Sequence, residues 1–295
     1  MNLVATGLSS ARLHRVVGAV VRAFVLAAAL LAAGTAAAQV AVTSYHYDHG
    51  LTGWNDHEAS LDYSTVPGLP GRLQFQPLFT VPLDGLVFAQ PLMVPNAIVR
   101  GDPNPGTHDV VYVATYNNTI YAIDPTRGSI LAQRTLDPAG NEPCVRPGQA
   151  SAGINGTPVI DRAHHALYVI DLTVVANRAA YFLHAIDLNT LADITAPTEV
   201  SASQRLLNKT FYNFNAPYER QRAALAEVNG NIYAGFAGSC EFKHLGFPGS
   251  RGWVLGWQAS TLQPLPLAEL TDQRVSSPNH IFLTSVWMSG SGLAS

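Results

Sequence analysis

Asp109-Val110-Val111-Tyr112-Val113-Ala114-Thr115, followed by Thr119-Ile120-Tyr121-Ala122-Ile123-Asp124, decides the fold class. Both runs are dense in β-branched and aromatic residues and are bounded by Asn and Asp, the pattern of short strands rather than helices. Asp124-Pro125-Thr126-Arg127-Gly128 reads as a polar turn, and Ser129 to Thr135 as a further strand. Pro91-Leu92-Met93-Val94, upstream, reads as another. Together they make one four-stranded antiparallel unit.

The same grammar returns twice. Ala166-Leu167-Tyr168-Val169-Ile170-Asp171 precedes Tyr181-Phe182-Leu183-His184-Ala185-Ile186-Asp187, with Thr157-Pro158-Val159-Ile160 before them. Asn231-Ile232-Tyr233-Ala234-Gly235-Phe236 precedes Gly252-Trp253-Val254-Leu255-Gly256-Trp257, with Ala224 to Val228 before them. The central tyrosines 112, 168 and 233 are 56 and 65 residues apart. The excess over a minimal blade falls in inserts at 137–155, 172–180, 190–222 and 237–251, expected to project as rim loops. Repeats of four short strands are the signature of a propeller. The expectation is an all-β chain, a partial β-propeller of four-stranded antiparallel blades: about three blades, with Val286 to Gly292 as the first strand of a fourth. Trp253, Trp257 and Trp287 then fall on blade strands, where large aromatics serve contact between blades.

Composition agrees. Hydrophobic residues make up 47% and charged residues 13%, the reverse of a disordered chain. No Lys/Arg stripe is present to follow a phosphate backbone, which argues against nucleic-acid binding. The first 38 residues read as a secretory signal peptide: Arg12, Arg15 and Arg22 without an acid, the apolar run Ala23 to Ala33, then Ala36-Ala37-Ala38 before Gln39. An uncleaved anchor is the alternative, although the apolar core is shorter than the roughly 20 residues of a span. Cleavage removes three of the 17 basic residues and none of the 20 acidic ones, taking the net charge from −3 to −6. Residues 39–295 are then the propeller domain, in a secreted or periplasmic compartment, with no membrane contact after cleavage.

Cys144 and Cys240 lie 96 residues apart, both in loop-like contexts. In an oxidising compartment a bridge between them would close a long loop and add about 4–5 kcal/mol on the chain-entropy model. Two separate thiols are the alternative, and neither has the second nearby cysteine a zinc site requires. The densest polar stretch holds His46, Asp48, His49, Asp56, His57 and Glu58. His46, His49 and His57 are weak candidates for metal ligation, set against a solvated N-terminal strand. His164-His165 reads as an exposed turn. No nucleophile elbow, P-loop or dinucleotide fingerprint is present.

Val111-Tyr112-Val113-Ala114, Ile120-Tyr121-Ala122-Ile123-Asp124 and Gly128 resemble the blade signature of the pyrroloquinoline-quinone (PQQ) repeat β-propellers, the quinoprotein alcohol dehydrogenase-like family. Gly156-Thr157-Pro158-Val159-Ile160-Asp161 resembles its opening strand, and Tyr45 to Asn55 the N-terminal segment of its secreted bacterial members. The blade's closing Trp is missing near Ala132. The resemblance implies a complete propeller of roughly six to eight blades, so the chain reads as C-terminally incomplete, with oligomeric closure as the alternative. It also implies PQQ held between an aromatic floor and a pair of adjacent cysteines, with calcium on acidic and amide side chains. No adjacent Cys pair is present. The leading expectation is an exported scaffold of unassigned activity that binds a ligand or protein at rim loops. The alternatives are a PQQ-dependent dehydrogenase whose cofactor site lies mostly in further blades, and a non-functional fragment.

Overall fold

The structure is a computed structural model, and it describes residues 40–48, 50–58, 61, 77–103, 105–140, 152–238, 251–266, 268–275 and 284–294. Residues 1–39, Cys144, Cys240 and His49 lie outside the described residues. So does most of each of the inserts around 137–155 and 237–251.

Three antiparallel sheets follow one another along the chain. The first is β1 (Leu92–Ala97), β2 (His108–Ala114), β3 (Thr119–Ile123) and β4 (Ile130–Thr135), in that order. The second is β5 (Val159–Asp161), β6 (Ala166–Val175), β7 (Arg178–Asp187) and β8 (Thr198–Glu199). β9 (Ser203–Arg205) and β10 (Phe211–Asn213) form a separate hairpin. The third sheet runs β11 (Glu219–Gln221), β13 (Asn231–Gly238), β14 (Trp253–Gln258), β15 (Glu269–Leu270), with β12 (Ala226–Val228) also on β13. β11 pairs with the end of β13 and β12 with its beginning, so the inner strand is one strand broken at Arg222 to Leu225.

Strand periodicity explains the stacking. Successive side chains point to opposite faces. Along β6, Leu167 and Val169 join Leu92, Val110, Tyr112 and Ile120 of the first sheet. The alternate residues Tyr168, Ile170 and Leu172 join Ile232, Phe236, Trp253 and Trp257 of the third. The second sheet is therefore buried on both faces, which requires the continuous apolar runs of its central strands. β3 is buried along its whole length, whereas the outer strand β4 alternates between exposed and covered. At the inner strands the sheets touch directly: Gln90 N–H donates to Thr157 Oγ1 at 2.9 Å and Leu225 N–H to the Thr157 carbonyl at 2.9 Å. Sheets stacked face to face with converging first strands are blades, and the chain is a partial propeller.

The aspartate that ends each unit has a local job. Asp124 Oδ1 accepts the N–H of Thr126 (2.7 Å) and of Arg127 (3.2 Å), and Asp187 Oδ1 accepts those of Asn189 and Thr190. These are Asx turns that close the third strand of a blade. In the third blade Gln258 stands there, and its Oε1 accepts the Thr261 hydroxyl.

Three expectations need correction. Residues 172–180 are no insert: β6 and β7 run on as one long hairpin, turning at Ala176 and Asn177 with φ of 49° and 63°. Residues 190–222 are no free rim loop either, because they carry β8 of the second sheet, the β9–β10 hairpin with Tyr212 stacked on Trp253, and β11 of the third sheet. Val286 to Gly292 forms no strand. It contains a short 3-10 turn at Met288–Gly290; Gly292 bridges parallel to Ala224, and Val286 N–H donates to the Phe236 carbonyl at 3.1 Å. Even so, Ala224 N–H donates to the Ser291 carbonyl at 3.0 Å, so Ser291 holds the place beside the third blade that Thr157 holds beside the first.

Candidate functional site at the axial end

The repeat register brings together four positions that lie two residues before the inter-blade contacts: Phe88, Asn155, Arg222 and Ser289. The inner strands converge, so these positions converge at one end of the axis. Phe88 is 41% exposed and meets Tyr116, in the turn between β2 and β3, edge to face at 5.0 Å. Asn155 is only 5% exposed. Arg222 Nη1 donates to the Asn155 carbonyl at 3.3 Å.

Arg220 precedes Arg222 by two residues. Glu219 and Gln221 are buried while Arg220 and Arg222 are partly exposed, so the two arginines share one face. Arg220 crosses from the third blade to the first, where its Nη2 donates to Tyr116 Oη at 2.6 Å. Its guanidinium also stands 5.8 Å from the ring centroid of Trp287. Burial, and then the charge of Arg220, hold the Arg222 guanidinium below its usual pKa. Among the described residues Arg222 makes no ion pair. Its guanidinium lies against Gly290, where φ is +95° and a Cβ would fall 2.5 Å from Nη2. Only glycine suits that place.

No protein-family model matches the chain, and no curated protein matches it in sequence. Solved structures do match. A quinohemoprotein alcohol dehydrogenase from Pseudomonas putida HK5 is 17% identical over 79% of this chain and 27% of its own, with a TM-score of 0.43. The quinohemoprotein alcohol dehydrogenase of Comamonas testosteroni is 13% identical over 80% of this chain and 28% of its own, at 0.42. BamB from Moraxella catarrhalis is 14% identical over 60% of this chain and 48% of its own, at 0.33. The chain thus spans a little over a quarter of either dehydrogenase and about half of BamB. Its propeller geometry stands on its own sheets.

A calcium-bound quinone does not fit the residues at the axial end. Calcium takes roughly six to eight oxygen ligands with carboxylates among them. The groups that converge here are guanidinium, aromatic and amide, and among the described residues no three His, Cys, Asp or Glu are placed to share a metal. Of the candidate histidines, His46 reaches this end through its backbone N–H, which donates to Gln90 Oε1 at 3.2 Å. His46 is exposed and stacks on Tyr45 at 4.1 Å, and His57 lies exposed beside Asp56 at 3.7 Å. His164 is in the exposed turn after β5, paired with Asp161. Trp253 and Trp257 are buried between the second and third blades as expected, but Trp287 is on no strand and is 40% exposed.

Two polar clusters escape a reading by motif. Between the first two blades, His184 places Nδ1 2.9 Å from Asp193 Oδ1 and Nε2 3.2 Å from Asp171 Oδ1. Arg134 completes the chain at Asp193, and Asn118 Nδ2 donates to Asp171 Oδ2 at 3.2 Å. Burial opposes the imidazolium, yet its two carboxylate partners raise the His184 pKa, while burial raises that of Asp171. In the third blade Glu219 is fully buried, with Oε1 accepting the Tyr212 hydroxyl and Oε2 the Asn215 N–H, each at 2.8 Å. Burial pushes its pKa up to about 7 against the opposing hydrogen bonds. Tyr212 also stacks on Trp253, so Glu219 ties the β9–β10 hairpin over the aromatic core. Neither cluster opens to a ligand.

Proposed function

We propose that this chain is an exported PQQ-like repeat propeller that serves as a binding scaffold, with its binding site at the axial end. The observation that supports this is the convergence of Phe88, Asn155, Arg220, Arg222 and Trp287, from three blades and the segment that follows them, on one partly open surface. A scaffold that holds its side chains on strand ends keeps them in place without reorganisation, which lowers the cost of binding. The basic n-region and Ala-rich site before Gln39 support export, with residues 39–295 as the mature domain.

A photo-crosslinker in place of Phe88 is expected to capture a partner in the envelope fraction, and Arg222→Gln is expected to abolish that capture. The same group in place of Ile130 on the outer strand should capture nothing. Reduction of an electron-acceptor dye with PQQ and calcium added, lost on chelation, would instead make the chain a dehydrogenase and end the scaffold reading. The N-terminus of the exported protein is expected at Gln39; retention of residues 1–38 on a membrane-bound form would refute cleavage.

A further inference from the structure

We infer that the axial end binds an acidic segment of a partner protein in extended conformation, through carboxylates two residues apart. The inference rests on the scaffold reading above and adds the chemistry of the partner. Three features carry it. Arg220 and Arg222 are two residues apart on one face of a strand and its continuation. Side chains at that spacing on an extended chain stand roughly 6.5–7 Å apart. Carboxylates at alternate positions of an extended peptide have the same pitch, so two charge-assisted hydrogen-bonded pairs form in register.

The second feature is the state of Arg222. It is partly buried, its guanidinium donates among the described residues to a backbone carbonyl, and its positive charge is disfavoured by burial and by Arg220. An incoming carboxylate relieves that repulsion and is worth more there than at a fully solvated arginine. The third feature is the apolar rim. Leu86, Val87 and Phe88 on one side and Trp287 and Met288 on the other are all exposed. The residues between the acidic positions of an extended peptide point away from the arginines or over this rim. Apolar or aromatic ones over the rim exclude water from the ion pairs.

The test uses the mature full chain and a fluorescein-labelled Glu-Phe-Glu-Phe-Glu-Phe peptide, read by anisotropy. Saturable binding is expected at low salt, weakening at least about tenfold toward 0.3 M salt as the ion pairs are screened. Arg222→Gln and Trp287→Ala are each expected to weaken it by roughly tenfold or more, with unchanged far-UV circular dichroism. Gly290→Ala displaces the Arg222 guanidinium without removing its charge and should weaken binding as well. Arg178→Gln, on the β6–β7 hairpin and paired with Glu199, should leave it unchanged. Equal binding of the Lys-for-Glu peptide, or wild-type affinity in Arg222→Gln, overturns the inference. If the peptide fails while the Phe88 crosslink still captures an Arg222-dependent partner, the acidic-segment inference falls and the scaffold reading stands. If the dye is reduced, both fall.

Discussion

Glu219 sits where two demands on a carboxyl group pull apart. Its two hydrogen bonds hold the β9–β10 hairpin down, but full burial makes its charge expensive, and its pKa rises to about 7 from an ordinary 4.5. The folded protein therefore holds this proton more tightly than the unfolded chain. The contribution to stability is fully present below pH 4.5 and is lost as pH rises through about 7, a difference of about 3 kcal/mol. Glu219→Gln, neutral at every pH, is expected to match the parent near pH 4.5 and to exceed it by about that amount at pH 8. Urea unfolding midpoints of the two proteins at both pH values measure it, and a difference that does not change with pH would refute it. His184 raises the complementary case. Its ring stands between Asp171 and Asp193 in the inter-blade seam, and the two carboxylates favour the imidazolium against burial. His184→Ala leaves the Asp171 carboxyl buried without its cation, and a loss of about 3–5 kcal/mol is expected in urea unfolding. None of these residues is legible singly in the sequence. Arg222 was within reach by aligning the repeats on Gln90, Thr157 and Ala224 and comparing positions two before them. Arg220 was not, because its meaning depends on Tyr116, 104 residues away.

At the scale of the element, strands were legible and their extents were not. The bounds of β2 and β3 follow to within a residue from β-branched and aromatic runs, and so does the start of β6. Residues 172–180 look like an insert because Ala176 and Asn177 interrupt an apolar run. In the fold the same two residues are a two-residue turn with both φ positive, the geometry that matches the twist of a hairpin. Asn-Gly does this at Asn229-Gly230 between β12 and β13. Alanine suits positive φ poorly, so Ala176→Asn is expected to stabilise the hairpin by about 0.5–1 kcal/mol. Slower amide exchange at Val174 and Arg178 measures it, and unchanged exchange would count against the turn. The segment after Thr284 shows the opposite error. Val286-Trp287-Met288 has strand composition, but a strand needs a neighbour along its length, and among the described residues this segment has only single contacts with the third blade.

For the molecule as a whole, the seam between the second and third blades is the largest aromatic core. Phe236 is fully buried there, edge to face with Tyr181 at 5.7 Å and Phe214 at 4.9 Å. Phe236→Ala is expected to cost about 3–5 kcal/mol. Thermal unfolding is the measure, and a loss below about 1 kcal/mol would mean the two sheets do not depend on that seam. Residue types repeated in order were enough, by themselves, to place the central strands of each blade and their antiparallel grouping, because the alternation and β-branched content of a strand are local properties. Which side chains meet at the axis was decided only by the tertiary structure. Phe88, Asn155, Arg220, Arg222 and Trp287 are separated by most of the chain, and they converge because inner strands do, a consequence of how whole sheets stack that no local pattern encodes.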